Sequence, residues 1–433
     1  MTPNNCLYCP HSLIGLVLLI SCVATWADQY NPRSSFLDTS YSKLILKNES
    51  SKTYNLEQRP DGLSQFYLDG APYENNATRF LAIYHSPNIP LISDGSMAAR
   101  VPAVVLVHGG GGTAFGEWVK RWNDAGFAAI AIAVEGQTDV IASQSRRGRD
   151  RWMNSAFGGP RREGIYDDYT KSTGNEWMFH AVFAAIQANN FLRSQENIDH
   201  QQIGIVGISW GGVITATTIG YDHRFAFAIP IYGSGFLSDI PNQYGDSLIR
   251  NPEYGELWEP ALRLKDFTKP TLWLTGRGED HFHLTAQAAS YRLIGGDVSV
   301  SIKANMAHSH RSAWNEPEPY LFAKEVVATG NTPFSSMLLS NPEDCATQFQ
   351  FSTGLSPIKA TLHVTSDHPV RGDSSWRELS AKIVNKKPTS ELVNVECAPL
   401  PKDTTYWFIN IKLKSNKSNT FVTGSSKLQS IRQ

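Results

Sequence analysis

Ser209 lies in Gly207-Ile208-Ser209-Trp210-Gly211-Gly212, directly after the apolar run Ile203 to Ile208 and before a segment of helical character, Val213 to Ile219. A strand that turns sharply into a helix lifts a serine Oγ off the end of a sheet. Glycines two residues to either side remove the side chains that would collide there. The helix N-terminus behind the serine favours incoming negative charge. These residue types at this spacing are those of acyl transfer through a nucleophilic serine. The plainer reading is a Gly-rich strand-to-helix turn with a solvated serine, and other segments weigh against it.

Ala103 to Val107 reads as a buried parallel strand that runs into His108-Gly109-Gly110-Gly111-Gly112. Acyl transfer builds negative charge on a former carbonyl oxygen, and a preorganised N–H facing it contributes about 3 kcal/mol. A glycine run brings the backbone close to the substrate, so the expected donors are the N–H of Trp210 and one N–H at Gly110 or Gly111. His108 is expected to hydrogen-bond the loop. Nucleotide phosphate is a poor alternative, because no Lys-Ser/Thr follows and no Gly-x-Gly-x-x-Gly enters a helix.

An acid and a histidine should follow the serine in that order. Thr271 to Thr275 is an apolar strand ending in Gly276-Arg277-Gly278-Glu279-Asp280-His281-Phe282, and Val298 to Ala304 leads into Asn305-Met306-Ala307-His308-Ser309-His310. His308 is the expected general base, and Asp280 the residue that holds its tautomer. Glu279 competes with Asp280, and His310 with His308. His281, His283, His308 and His310 are not accompanied by cysteine or a dense carboxylate set, so neither a metal nor another cofactor is expected.

These residues need a sheet whose strands end at one edge. Between Phe127 and Thr329 strand-like and helix-like segments alternate, with a helix expected over Trp177 to Ser194 and others over Leu284 to Ile294 and Pro319 to Thr329. Such alternation predicts a mainly parallel sheet covered on both faces, an α/β class. Lys43 to Lys47, Phe66 to Leu68 and Arg79 to His85 are expected as antiparallel opening strands. Residues 135–176 interrupt the rhythm and hold Arg146, Arg147, Arg149, Arg151, Arg161 and Arg162. Long insertions at the catalytic end of a sheet often wall the substrate pocket, and an arginine there could bind a carboxylate such as a uronic acid. Partly offset, solvated charge is the plainer expectation for most of them. After Pro333 the segments become short and β-prone, which predicts a small β-sandwich-like domain over 333–433 behind a catalytic domain over 28–332.

The chain has 433 residues and a formal net charge of −1, so nothing in its charge balance points to nucleic acid. Leu13 to Val23 is apolar but too short to span a membrane, and Thr25-Trp26-Ala27 is a small-x-small pattern. Residues 1–27 are therefore read as a signal peptide of a secreted or periplasmic protein. Leu19-Ile20-Ser21-Cys22 also fits a lipobox, which would anchor the chain at Cys22. Behind the leader only Cys345 and Cys397 remain, a plausible disulfide in an exported chain.

Several of these segments carry a resemblance. The elbow at Ser209, Val107 to Phe115, Glu117-Trp118-Val119, Asp222-His223-Arg224-Phe225 and Met306 to His310 resemble exported α/β-hydrolases of the acetyl xylan esterase and dienelactone-hydrolase-like kind. The similarity covers roughly residues 36–330. The tail, with Thr365-Ser366-Asp367 and Trp376, is similar to the appended domain of many members. The resemblance implies an α/β-hydrolase fold and a serine esterase acting on small esters or acylated oligosaccharides. Members commonly have Gly-x-Asn-Asp at the acid. Ungapped counting from Gly276 points to Glu279, whereas the following His281-Phe282 favours Asp280. A serine peptidase of the prolyl-oligopeptidase type is the first alternative, and a binding protein on a hydrolase scaffold the second. The oligomeric state is not legible.

Overall fold

A computed structural model describes residues 32–47, 52–88, 100–384, 391–416 and 418–431. The leader and Cys22 fall outside the described residues.

The strands that frame the site form one nine-stranded sheet. In chain order they are β1 (Thr53–Gln58), β2 (Ser64–Asp69), β3 (Arg79–His85), β4 (Val101–Val107), β5 (Ala128–Ile132), β8 (Ile198–Ile208), β9 (Phe227–Ile231), β10 (Thr271–Gly276) and β11 (Val298–Lys303). Between them β6 (Gln137–Ile141) and β7 (Trp152–Asn154) make a separate small hairpin. The sheet order is β1-β2-β3-β5-β4-β8-β9-β10-β11. β1 to β3 pair antiparallel, and everything from β5 to β11 is parallel. The central parallel strands are largely apolar where both faces are covered, as in β4, β5, β9 and the second half of β8. All five residues of β5 and all five of β9 are buried.

The chain leaves β4 to one side for β5 and returns to its other side as β8. That reversal is a topological switch point, and an open parallel sheet holds its ligand outside the carboxyl ends of the strands there. Register levels those ends: Val107 is opposite Gly207, Ile208 opposite Ile231, Ile231 opposite Leu274, and Gly276 opposite Lys303. The glycine loop, the elbow and the two remaining candidate loops therefore emerge side by side.

One opening element is corrected. Lys43 to Lys47 is not a strand but the end of the helix Pro32–Lys47, and the first strand is β1. Leu37, Tyr41 and Leu44 recur at helical spacing and are the buried residues of that helix. The short window around Lys43 hid this period.

Past residue 333 all pairing is antiparallel. β12 (Phe334–Leu338), β13 (Thr347–Phe351), β14 (Leu355–Thr365), β15 (Arg377–Val384), β16 (Leu392–Cys397), β17 (Tyr406–Ser415) and β18 (Phe421–Ser425) lie in the order β12-β13-β16-β15-β14-β17-β18, and β19 (Gln429–Ser430) pairs with β17. Gly424 of β18 approaches Phe334 of β12, so the single sheet curls almost into a barrel. Cys345 and Cys397 are disulfide-bonded, with Cα atoms 5.9 Å apart.

The tail covers the free edge of the catalytic sheet. Ile302 N–H donates to Ser425 Oγ at 2.8 Å, and Asn410 Nδ2 donates to the Ile302 carbonyl at 2.9 Å. An edge strand with unpaired groups invites aggregation, and here side chains of β17 and β18 satisfy them. Buried Glu318 accepts from Thr423 N–H at 2.7 Å and from Lys303 Nζ at 2.7 Å, tying the same corner.

Candidate active site

The elbow begins where β8 ends. Ser209 has φ 57° and ψ −119°, a conformation a non-glycine residue adopts only when its surroundings impose it. Its N–H donates to the Ile231 carbonyl at 2.7 Å, and its carbonyl accepts from Val213 N–H at 3.1 Å. The turn is tight enough that a Cβ on Gly207 would sit 1.9 Å from the Gly211 carbonyl oxygen, and one on Gly211 would sit 2.1 Å from that of Val107. Both positions therefore require glycine.

His308 Nε2 lies 2.8 Å from Ser209 Oγ, and His308 Nδ1 lies 2.6 Å from Glu279 Oε2. The structure thus brings Glu279, not Asp280, to the histidine, and the expectation of Asp280 as partner is corrected. The cause is local. Glu279 N–H turns back to the Gly276 carbonyl at 3.2 Å, which points residue 279 toward the sheet and residue 280 away from it. Glu279 is buried, and its Oε1 accepts the N–H groups of His281 at 2.8 Å and Phe282 at 3.1 Å. Asp280 is exposed and accepts from Gly372 N–H in the tail at 3.3 Å.

Tyr232 holds the other face of the imidazole. Its ring stacks on His308 with centroids 4.6 Å apart, and its hydroxyl donates to the Ala307 carbonyl at 2.6 Å. Burial, helped by the nearby Glu279 charge, pushes the phenol far above its ordinary range, so it stays a neutral donor. Sequence reasoning missed Tyr232. Its position directly after β9, level with the elbow, was the available signal.

His310 is not a second base. It is half-buried, and its Nε2 accepts the Gly109 N–H at 2.9 Å. Burial, with smaller contributions from His108 and His308, lowers it to about 3, which keeps the acceptor nitrogen unprotonated. His108 acts similarly within the glycine loop: Nδ1 lies 2.7 Å from the Gly109 carbonyl and Nε2 accepts Val134 N–H at 3.0 Å.

Of the three expected oxyanion donors, two have no acceptor among the described residues. Trp210 is the first residue of the helix Trp210–Thr218, where an N–H has no intrahelical acceptor. Gly110 N–H has no partner among the described residues. The expectation for Gly111 is corrected: its N–H donates to Glu135 Oε2 at 2.9 Å. Buried Glu135 also binds Arg162 Nε at 3.0 Å, so it ties the glycine loop to the insertion. Sequence reasoning missed Glu135, which no local pattern singles out.

The cavity over Ser209 has a volume of about 470 Å³ and is lined in part by Gly110, Arg149, Arg162, Trp210, Tyr244 and His281. Among the described residues no cluster of His, Cys, Asp or Glu has the form of a metal site, and no helix is long and apolar enough to cross a membrane.

Residues 90–257 match the acetyl xylan esterase (AXE1) family model. No curated protein matches the chain. Among solved structures, the chain is similar to an acetyl xylan esterase from Paenibacillus sp. R4, with 19% identity, 65% of this chain and 92% of that one covered, and a TM-score of 0.48. It is similar to acetyl xylan esterase 1 from Thermoanaerobacterium sp. JW/SL YS485, with 16% identity, 63% and 88% covered, and a TM-score of 0.44. It is also similar to the Pyrococcus horikoshii acylaminoacyl peptidase, with 19% identity, 66% and 43% covered, and a TM-score of 0.43. The family match includes the glycine loop and the elbow but ends before Glu279 and His308, whose assignment rests on the geometry above.

Proposed function

We propose that this serine hydrolase, an α/β-hydrolase with an acetyl xylan esterase segment over residues 90–257, removes acetyl or similar small acyl groups from polysaccharide fragments through an acyl-Ser209 intermediate. The observation that carries the proposal is the continuous relay Glu279–His308–Ser209, with contacts of 2.6 and 2.8 Å, set beside two N–H groups that have no acceptor among the described residues. His308 Nε2 takes the Ser209 proton as Oγ attacks the ester carbonyl. Glu279 holds Nδ1–H and stabilises the imidazolium that forms. The N–H groups of Gly110 and Trp210 stabilise the oxyanion. The imidazolium then protonates the departing alcohol, and a water activated by the same nitrogen releases the acid.

The disulfide between Cys345 and Cys397 supports an exported protein, since such bonds persist in oxidising compartments. The signal-peptide reading of residues 1–27 agrees, with attachment at Cys22 as the variant. An acetate-release assay on acetylated xylan, with p-nitrophenyl acetate for the burst and aminoacyl-naphthylamides as the peptidase arm, tests the reading. Burst and acetate release without amide cleavage is the expected result. Amide cleavage without acetate release would replace esterase by peptidase.

A further inference from the structure

We infer that the Ser209 cavity selects esters whose sugar part carries carboxylates, that is, acylated oligosaccharides containing uronic acids. The inference rests on the esterase reading above and adds its substrate class. Five arginines, Arg146, Arg147, Arg149, Arg151 and Arg162, line the Ser209 cavity and the one adjoining it, where Asp150 is the lining carboxylate and buried Glu135 pairs with Arg162 from behind. Asp150 is itself engaged by Arg161 at 3.0 Å. A chain with a formal net charge of −1 thus concentrates positive charge at one mouth. Such a field raises the local concentration of anionic substrate and speeds its arrival.

The backbone that carries Arg146 to Arg151 is fixed relative to the chemistry. Gly148, with φ +60°, packs against Gly111 so closely that a Cβ on Gly111 would lie 2.6 Å from the Gly148 Cα. Trp152 Nε1 donates to the Gly111 carbonyl at 2.9 Å. The arginine segment is therefore clamped to the glycine loop by backbone contact.

Arg162 is the most constrained. Glu135 holds its Nε, the Gly164 carbonyl holds Nη1, and the guanidinium lies over the Trp210 ring at 4.9 Å. Its remaining Nη2 is turned to Gly110, 3.3 Å from where a Cβ would stand there. Arg149 lines the same cavity. A planar carboxylate supplies acceptors in the geometry an arginine fork prefers. The cavity volume of about 470 Å³ exceeds what an acetyl group needs, so the sugar part also occupies it. The Trp210 and Tyr244 rings give that part apolar walls.

The test compares kcat/KM for an acetylated oligogalacturonide and an acetylated xylo-oligosaccharide of equal length, at low and high ionic strength. We expect the acidic ester to be preferred by roughly tenfold or more, with the preference shrinking as salt screens it. The double substitution Arg147→Gln and Arg149→Gln should reduce the acidic-to-neutral ratio by about tenfold, as expected for lost charge-assisted hydrogen bonds. Calorimetric binding of unacetylated oligogalacturonide to the Ser209→Ala protein should be tighter than that of xylo-oligosaccharide and salt-sensitive. Equal or reversed preference with normal p-nitrophenyl acetate turnover overturns this inference alone. Absence of any ester turnover and of Ser209 acylation overturns the esterase reading and this inference together.

Discussion

Glu279 reaches His308 because the turn after β10 aims it inward, while its neighbour Asp280 faces the tail. The sequence pattern left two adjacent carboxylates as candidates and favoured Asp280, whereas the direction of a turn closed by one backbone hydrogen bond selects Glu279. We therefore expect Glu279→Gln to lower kcat by about 10³-fold or more, as for loss of a triad acid, and Asp280→Asn by less than about tenfold. The reverse order in steady-state kinetics would return the role to Asp280. Ser209 offers a second contrast. Its positive φ costs on the order of 1–3 kcal/mol, which glycine relieves and alanine does not. Ser209→Ala and Ser209→Gly should both abolish fluorophosphonate labelling and turnover. Ser209→Gly should be at least as stable as Ser209→Ala in denaturant titration, although it gives the unfolded chain more freedom. His310 has its folded pKa depressed to about 3, mainly by burial. The unfolded state therefore holds the extra proton between that value and the ordinary histidine range. The residue's contribution to stability is complete above about pH 6.5 and is lost as pH falls toward 3. NMR should show the His310 ring unprotonated from pH 5 to 9. His310→Ala should lower kcat through the Gly109 loop without moving the pH profile of kcat/KM, and a moved profile would make it a proton carrier.

Most parallel strands were legible because they carry an apolar run bounded by glycine or polar residues, and their order of appearance gave the order of the catalytic loops. The opening helix Pro32–Lys47 was not, because its buried positions Leu37, Tyr41 and Leu44 are separated by polar residues that read as a loop and a strand. The insertion over 135–176 was legible as an insertion only. What joins it to the catalytic loop is Glu135, bridging Gly111 N–H and Arg162 across 24 and 27 residues, a tertiary contact that leaves no local pattern. Glu135→Ala strands a mostly buried guanidinium and an amide at once. Removing one partner of a buried ion pair typically costs about 3–5 kcal/mol. We expect a fall in stability at the lower end of that range, since Arg162 is partly solvated, with impaired oxyanion stabilisation as the loop loosens. Unchanged melting and unchanged kcat in Glu135→Ala would show that the insertion is positioned by other contacts.

At the scale of the whole molecule the tail is more than an appendage, because it grips both flanks of the residue that orients His308. Arg277 binds Glu378 at 2.8 Å and lies 2.9 Å from His363 Nδ1, while Gly372 N–H binds Asp280. Glu279 sits between them. The disulfide joins Cys345 and Cys397 across 52 positions, and closing a loop of that size stabilises a chain by about 4 kcal/mol on the entropy model. That stabilisation belongs to the tail sheet, whereas the elbow, the glycine loop and His308 lie within the catalytic sheet. Reduction at 25 °C should therefore leave ester hydrolysis nearly intact. On heating, the reduced tail should unfold first and release Arg277 and Asp280, so activity should fall with the tail's transition rather than with melting of the parallel sheet. Calorimetry of the reduced protein, run beside residual activity at each temperature, separates the two events. If activity persists until the parallel sheet melts, the tail does not steady Glu279 and its contacts with the acid loop are structural alone.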